Sequence, residues 1–388
     1  MPAIKSVIQR YMPSNEILTL MEDFRMMVND CNRIGLANNN VSTLRKLSQL
    51  SYKGLARYNM PSYYKLCAIS RAAGILAARK KSMKRGMRTK SPYAVKPILT
   101  SCYGFKIADG ILKVPLGKKQ YFNIPLTKHT RQILSDPALN VRSFTLTANT
   151  ISICYSKEVG EIECTKTAGI DRNLRNATYG NDNRVIQYNL SQAVDIAENT
   201  KEIIASFKRD DVRIRKKLSM KYGRRRQSRV QQLLHRVSKH VVNEALANTE
   251  AIVFEKLTGI RKLYKKGNGQ GHKYRHTMNS FPFYELERQV TYKARWEGIP
   301  VIHIDPKGTS KLCPRCGERL QSAYASRNVW CQKCKKFMDR DVVAAMNLSY
   351  RGASVLMRSQ GGAGEAMRGN PEKEAVILRV DASKLFCG

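Results

Sequence analysis

The spacing of apolar residues changes several times along this chain, and each change predicts a different kind of element. Residues 5–11 alternate and read as a short strand. Pro13-Ser14-Asn15-Glu16 then offers helix-start chemistry, and Leu20, Phe24, Met27 and Cys31 recur at helical spacing, predicting an amphipathic helix over 15–36. A second helix is expected from Ser42 to about Tyr58, and a third from about Pro61 through Lys81. From Tyr93 to Lys157 the period becomes two. Leu112, Val114 and Leu116 alternate with polar or small residues, and after Gly117-Lys118-Lys119 so do Phe122, Ile124 and Leu126. Phe144 and Leu146 face Ile151 and Ile153 across Ala148-Asn149-Thr150. Successive hairpins of this kind predict a small antiparallel barrel.

Beyond residue 165 the patterning changes again. TAGIDRNLRNATYGNDNRVIQYNL (167–190) predicts a meander: a strand ending at Asp171, a second from Asn176 to Gly180, and a third from Arg184 to Leu190. Residues 191–248 are mostly helical, and VQQLLHRVSKHVVNEAL carries the apolar period that covers a sheet. Ala251 to Phe254 is a buried strand with Glu255 at its end. Residues 262–280 have three glycines, many positive charges and no period, and read as a loop. Phe281 to Glu297 returns to helix and Ile299 to Ile304 to strand. The tail beyond Gly352 is Gly-rich early and weakly patterned, which predicts disorder for part of it.

Length and hydrophobic content, 388 residues and 42%, allow two or three domains with a substantial core. Charge changes the picture most. Sixty-nine Lys and Arg against thirty acids give +39, which calls for a polyanionic partner. A membrane is the weaker candidate, because no apolar run is long enough to span a bilayer, and MPAIKSVIQRYMP lacks the apolar core of a signal peptide. Two basic runs stand out. Arg79, Lys80, Lys81, Lys84, Arg85 and Arg88 follow the third helix, and residues 208–229 carry eleven Lys and Arg, among them Arg215, Lys216, Lys217, Arg224, Arg225, Arg226 and Arg229. A charge run is often only a solvated face, but one sign in excess points to nucleic-acid phosphates. His235 and His240 are five apart, a poor metal geometry on a helix, and His272 and His276 fit a phosphate-facing role better than a ligand role.

Cys313 and Cys316 form one C-x2-C pair and Cys331 and Cys334 another, with fourteen residues between the pairs. Four thiolates on two tight turns surround one zinc ion tetrahedrally at this spacing, close to a zinc-ribbon pattern. Gly317 suits the turn after the first knuckle. Protein sulfur fills every coordination position, so this zinc is expected to be structural and the chemistry must sit elsewhere. Cys31, Cys67, Cys102, Cys154, Cys164 and Cys387 are scattered without paired spacing, which fits reduced thiols in a cytosolic protein.

Asp339-Arg340-Asp341-Val342-Val343-Ala344-Ala345-Met346-Asn347-Leu348, with Thr309-Ser310 ahead of the first knuckle, resembles the end of the transposon-encoded TnpB/OrfB family. That family includes the ancestors of the type V CRISPR effectors and has a RuvC-like nuclease domain whose third carboxylate follows a zinc ribbon. Glu255, with Leu257, Gly259 and Arg261 after it, resembles the second motif. Asp171 stands where RuvC-like folds of the RNase H type place their first carboxylate. The family usually has another glycine after Gly-Ile-Asp; here Arg172-Asn173 follow. The resemblance is specific over about 165–350, and over 1–160 it lies only in the order of elements.

The resemblance implies a multidomain α/β protein: an N-terminal helical lobe with a small β-barrel, then a RuvC-like mixed sheet with helices and an inserted zinc ribbon. On that plan residues 1–12 are the first strand of a wedge barrel, 13–91 a helical recognition lobe, 92–164 the barrel and 165–308 the nuclease domain with a lid loop at 261–280. The ribbon is 309–338, the third motif 339–352, and the tail 353–388. The implied activity is RNA-guided DNA cleavage in the prokaryotic cytoplasm, with guide RNA and double-stranded DNA as partners. Asp171, Glu255 and Asp341 would be its catalytic metal ligands. Phosphodiester hydrolysis suits them, because hard carboxylate oxygens hold two Mg2+ ions ~3.5–4 Å apart. One rival is a guided DNA-binding protein without cleavage, which would be expected to lose a carboxylate where this chain keeps all three. Another is a transposase, whose strand joining has no evident Tyr or His-hydrophobe-His signature here.

Asp339 and Asp341 are separated by helical geometry. In a helix starting near Asp339, Asp341, Ala344, Ala345 and Leu348 share a face, and Asp339 lies about 200° away, placed to cap. The family's acid also precedes the first of the paired alanines by three residues. The family commonly has asparagine where this chain has Val343, so a local polar contact is expected to be missing.

Overall fold

Alternation at the start of the chain does produce a strand, but its partner lies 140 or more residues away: Pro2 pairs with Glu158 and Arg10 with Thr150. The computed structural model describes residues 2–117, 120–207, 212–257, 260, 267–280, 282–322, 327–359 and 374–385. The chain divides into two units, Met1–Glu158 and Val159–Gly388. The first holds β1 (Pro2–Arg10), α1 (Asn15–Ala37), α2 (Leu44–Ser51), α3 (Ser62–Lys84), β2 (Leu99–Ser101), β3 (Lys106–Ala108), β4 (Ile111–Gly117), β5 (Gln120–Pro125), α4 (Lys128–Leu134), β6 (Asn140–Leu146) and β7 (Thr150–Glu158).

Ser14 starts α1 by accepting a hydrogen bond from Ile17 N at 3.3 Å, and Leu20, Phe24, Met27 and Cys31 are the buried stripe. The second expected helix is shorter: α2 stops at Ser51 and a 3-10 turn covers Lys53–Arg57. The hairpin pairings follow the alternation, with Phe144 opposite Ile153, Leu146 opposite Ile151 and Leu112 opposite Ile124. The strands form two antiparallel sheets, β1-β7-β6-β2 and β3-β4-β5, rather than one continuous ladder. Gln9 joins them: its Nε2 donates to Pro125 O at 3.0 Å and its Oε1 accepts from Thr127 N at 3.0 Å.

The second unit holds β8 (Lys166–Arg172), β9 (Asn176–Gly180), β10 (Arg184–Asn189), α5 (Ser191–Ser206), α6 (Val212–Ala247), β11 (Glu250–Glu255), α7 (His272–Ser280) and α8 (Phe283–Glu297). After these come β12 (Val301–Ile304), β13 (Gln321–Ser322), β14 (Asn328–Cys331), β15 (Lys336–Asp339), α9 (Arg340–Ser359) and β16 (Val376–Asp381). A six-stranded mixed sheet runs β12-β11-β8-β9-β10-β16. Its meander β8-β9-β10 is antiparallel, while β11 joins β8, β12 joins β11 and β16 joins β10 in parallel. Every residue of β11 is buried, and its apolar run Ala251–Phe254 suits a strand covered on both faces.

Leu233, Leu234, Val237 and Val241 of α6 and Leu286 and Val290 of α8 bury one sheet core with Ile170 and Phe254. On the other side, α9 sets Leu348 against Val253 and Ile304. That helix lies unusually close to β8. A Cβ on Gly169 would come within 2.2 Å of Ala345 O, and Thr167 and Ser349 exchange side-chain-to-carbonyl bonds at 2.8 and 2.6 Å. Small residues therefore set the depth of the helix.

Several boundaries differ from the sequence expectation. Segment 159–164 belongs with the second unit, since Ile162 N donates to Gly298 O at 2.8 Å and Cys164 is buried with Ala251 and Leu356. The third-motif helix runs to Ser359, because Gly352 lies against Val253 and Leu356 is buried. The tail contributes a strand, held at the sheet edge by its pairing with β10. Part of the expected lid is the helix α7. Residues 261–266 of that loop, 208–211 of the basic run, and 360–373 and 386–388 of the tail lie outside the described residues. Among the described residues, no helix is long and apolar enough to cross a membrane.

Candidate active site

Asp171 sits one residue from the end of β8, and Glu255 ends β11, which runs parallel to β8, so both acids lie at the same sheet end. The turn from β8 to β9 holds the first of them. Asn173 Nδ2 donates to Asp171 Oδ2 at 2.7 Å, and Asn173 N donates to Asn176 O at 2.9 Å, which closes the turn. Asn176 Nδ2 then donates to Asp341 Oδ2 at 2.8 Å. Two carboxamides in one turn thus each hold one acid.

Asp341 occupies the first turn of α9 and is 4% exposed. Its neighbour Asp339 has a different role: Oδ1 accepts from Asp341 N at 2.8 Å and Val342 N at 3.4 Å, and Oδ2 accepts from Gln187 Nε2 at 3.1 Å. That is helix-cap geometry. Arg327 Nη1 also donates to Asp341 Oδ2, at 2.5 Å, from a largely exposed side chain. At Val343, where the family commonly has asparagine, the valine is buried with Cys313, Leu320, Val329 and Cys331 of the ribbon. Asn347, one turn later, ties the helix to the ribbon by donating to Thr309 O and Leu312 O at 2.7 and 2.8 Å.

Arg172 takes the place of the usual glycine and its side chain is 2% exposed. The guanidinium donates to Glu255 O at 2.8 Å, to Phe283 O at 3.2 Å and to Glu287 Oε2 at 2.5 Å, and lies 5.0 Å over the Phe254 ring. Glu287 also meets His303 Nε2 at 3.0 Å. The planar fork of arginine suits this many-sided contact better than a lysine would. Arg172 is therefore a built-in counter-charge behind Glu255.

The electrostatics are those of buried carboxylates that repel one another. Burial, then the charges of Glu255 and Asp341, push the Asp171 carboxyl up to about 8, with Asn173 and Arg340 opposing. Burial also raises Glu255 and Glu287 adds to it, while Arg172 pulls the other way. Glu250, at the far end of β11, makes the contrast: both its oxygens are taken, by Tyr179 OH at 2.8 Å and Asn181 Nδ2 at 2.7 Å. Hard oxygen donors fit a divalent cation, and Asn176 Oδ1 is a buried acceptor with no hydrogen-bond partner among the described residues. The three acids do not converge on one point, for among the described residues only the four cysteines bring their ligand atoms within 4.8 Å of one another.

The cysteines fit zinc. Cys313 and Cys334 sulfurs are 3.9 Å apart and Cys316 and Cys331 sulfurs 3.5 Å. A tetrahedron with Zn–S of about 2.3 Å has edges of about 3.8 Å, whereas a disulfide needs about 2.05 Å. Gly317 takes φ +76°, and its N–H donates to Cys313 O at 2.9 Å. Burial acts to raise the Cys316 thiol, but the Glu318 amide and the other three sulfurs bring it down to about 7.

The basic candidates lie on helices in separate units. Lys80, Lys81, Lys84, Arg85 and Arg88 are exposed at and beyond the end of α3, while Arg79 is half-buried and donates to Asn40 Oδ1 at 2.7 Å. On α6, Arg215, Lys216, Lys217, Arg224, Arg225 and Arg229 are exposed, and the buried stripe begins only at Val230. Arg226 is half-buried and lines a pocket with Ala193, Val230 and Glu285. His240 is turned to Tyr188, Nδ1 to OH 2.8 Å. Sequence reasoning missed Asn173, Asn176 and Arg327 as partners of the acids and the buried contacts of Arg172. The one available signal was the departure from glycine after Asp171.

The Cas12f1-like, TNB domain family matches residues 283–348. The TnpB-like protein MJ0751 of Methanocaldococcus jannaschii is 33% identical over 213 residues, covering 52% of this chain and 74% of the relative. The CRISPR-associated endodeoxyribonuclease Cas12f1 of Sulfoacidibacillus thermotolerans is 30% identical over 117 residues, 30% of this chain and 25% of that one. A cryo-EM structure of a Cas12f1–sgRNA–target DNA complex shares the fold at a TM-score of 0.63 and 13% identity, covering 87% of this chain and 83% of its own.

Proposed function

The chain belongs to the family of TnpB-like proteins, and on that premise we propose that it is an RNA-guided DNA endonuclease acting by Mg2+-dependent phosphodiester hydrolysis. Asp171, Glu255 and Asp341 are its catalytic acids, the six-stranded sheet is the RuvC-like domain, and Cys313, Cys316, Cys331 and Cys334 hold one structural zinc. Residues 13–91 are the recognition lobe, and the sheets bridged by Gln9 are the wedge barrel. Guide RNA and double-stranded target DNA are the partners, bound in part through the exposed basic faces of α3 and α6, in the cytoplasm.

The observation that carries this reading is geometric: Asp171 and Glu255 stand at the same end of the parallel strands β8 and β11, and Asn176, at the start of β9, reaches Asp341 at 2.8 Å. Burial and the charges of Glu255 and Asp341 raise the Asp171 carboxyl, a cost that a bound cation would offset, and functional sites are where such costs gather. Two Mg2+ ions held there would activate water and stabilise the leaving oxygen. The chain's own residues orient and offset the acids. Asn173 and Asn176 fix the two aspartates, Asp339 sets the start of α9, and Arg172 places a fixed cation behind Glu255. Strand scission of a guide-matched duplex tests the reading. Asp171→Ala and Glu255→Ala should lose cleavage with Mg2+ while guided binding stays near wild type. Cleavage at the wild-type rate by either variant would refute the site.

A further inference from the structure

We infer that Asn173 and Asn176 are positioning residues that make Asp171 and Asp341 one-oxygen ligands, and so tune the site to Mg2+ against Ca2+. The inference rests on those acids being metal ligands. Asn173 Nδ2 lies 2.7 Å from Asp171 Oδ2, and Asn176 Nδ2 lies 2.8 Å from Asp341 Oδ2. Arg327 Nη1, at 2.5 Å, falls on that same oxygen of Asp341. Asp341 Oδ2 thus has both lone pairs engaged and Asp171 Oδ2 one, which makes Oδ1 the freer oxygen of each for an ion.

The ions differ in what they ask of a carboxylate. Mg2+ takes near-octahedral geometry at about 2.0–2.1 Å and keeps several waters, which suits one oxygen per carboxylate. Ca2+ takes six to eight oxygens at about 2.3–2.6 Å and readily uses both oxygens of one carboxylate. A hydrogen bond that occupies Oδ2 and fixes the plane of the carboxylate therefore favours the smaller ion. The second carboxamide has a further part. Among the described residues, Asn176 Oδ1 is buried and has no hydrogen-bond partner. Water on an ion would satisfy it, and so would direct coordination, which Ca2+ accepts from carboxamide oxygens, so the separation of the two ions rests on the carboxylate oxygens.

The turn that carries both residues explains why they act together. Asn173 N donates to Asn176 O at 2.9 Å, so the two carboxamides are held by one backbone bridge. The acids they reach lie far apart in sequence, with Asn176 and Asp341 separated by 165 positions. The β8–β9 turn is thereby a spacer between the first and third acids.

The test uses the full chain, stripped of nucleic acid at high salt, with Mg2+ and Ca2+ affinities read by their competition with Mn2+ followed by electron paramagnetic resonance. Asn176→Ala should weaken Mg2+ about tenfold or more, the usual cost of losing a ligand's outer partner, and Ca2+ by clearly less. Asn173→Ala should shift the ratio the same way. Asn176→Leu keeps the approximate shape and removes the donor without adding a charge, so it should also move preference toward Ca2+, with unchanged circular dichroism as the check on folding. Unchanged Mg2+ to Ca2+ ratios in all three variants, or equal losses for both ions, overturn the inference. Asp341→Ala is the control for the underlying reading: if it leaves Mn2+ binding intact, the site itself is misassigned. Loss of Mn2+ in that control with unchanged ratios in the asparagine variants sinks only the positioning role.

Discussion

Asp339 and Asp341 are two positions apart and have opposite surroundings. Asp339 spends its oxygens on the Asp341 and Val342 amides and on Gln187, as an N-cap does. Asp341 is buried beneath the helix start and adds to the field that raises Asp171. Asp341→Asn should therefore abolish cleavage without unfolding the chain. Asp339→Ala should keep much of the activity and lose ~1 kcal/mol of stability with the cap. Cleavage assays beside thermal melts decide it, and the reverse ordering would refute the assignment. At this scale the sequence was legible wherever the cue was local. The i, i+3, i+4 spacing put Asp341 with Ala344 and Ala345; these are buried, but so are Val342, Val343 and Met346, because the start of α9 is covered on all sides. Arg172 was visible only as a departure, because its partners Phe283 and Glu287 lie 111 and 115 positions on.

Among the elements, α9 and the ribbon depend on each other. Val343 completes the apolar cluster around Cys313 and Cys331, and Asn347 ties the helix to Thr309 and Leu312. The start of α9, with Asp341 in its first turn, is thereby braced by the four-cysteine ribbon. Freshly purified protein should contain one zinc per chain by elemental analysis. Cys316→Ser should lower the melting temperature and weaken target engagement, since metal binding supplies folding free energy to a small ribbon. Protein that lacks zinc yet melts and binds like wild type would sink this. The ribbon was the most legible element, because two C-x2-C turns encode their geometry within a few residues. The strand β16 was the least, because an edge strand takes its order from the neighbour it pairs with.

For the whole molecule, charge sets the behaviour. A chain of +39 with exposed basic faces on α3 and α6 should purify from low-salt lysate with RNA bound. If six to ten phosphates are neutralised, affinity should fall by ~10^3–10^5 between about 50 and 200 mM salt. A preparation with no excess absorbance at 260 nm, or a salt-insensitive affinity, would count against it. Reversing Lys216, Lys217, Arg224 and Arg225 to Glu should flatten the salt slope while leaving the melting temperature of the chain close to wild type. These residues precede the buried stripe of α6.

The amino-acid sequence by itself determined the periods of the helices and hairpins, the four-cysteine ribbon, the sign of the partner and the motifs that carry the family resemblance. All of these are written in spacing or in sums over residues. Tertiary structure alone decided that the antiparallel strands of the first unit form two sheets bridged by Gln9, and that the tail returns to the sheet. It also decided that the β8–β9 turn holds both aspartates, through Asn173 and Asn176. The physical reason is that strand pairing and hydrogen-bond partnership are choices between distant segments. A strand can alternate without specifying its neighbour, and an asparagine has the same donors whichever acid arrives. Close approach settles the choice: with no Cβ on Gly169, Ala345 O can lie where one would stand, and α9 comes down far enough to bring Asp341 to Asn176.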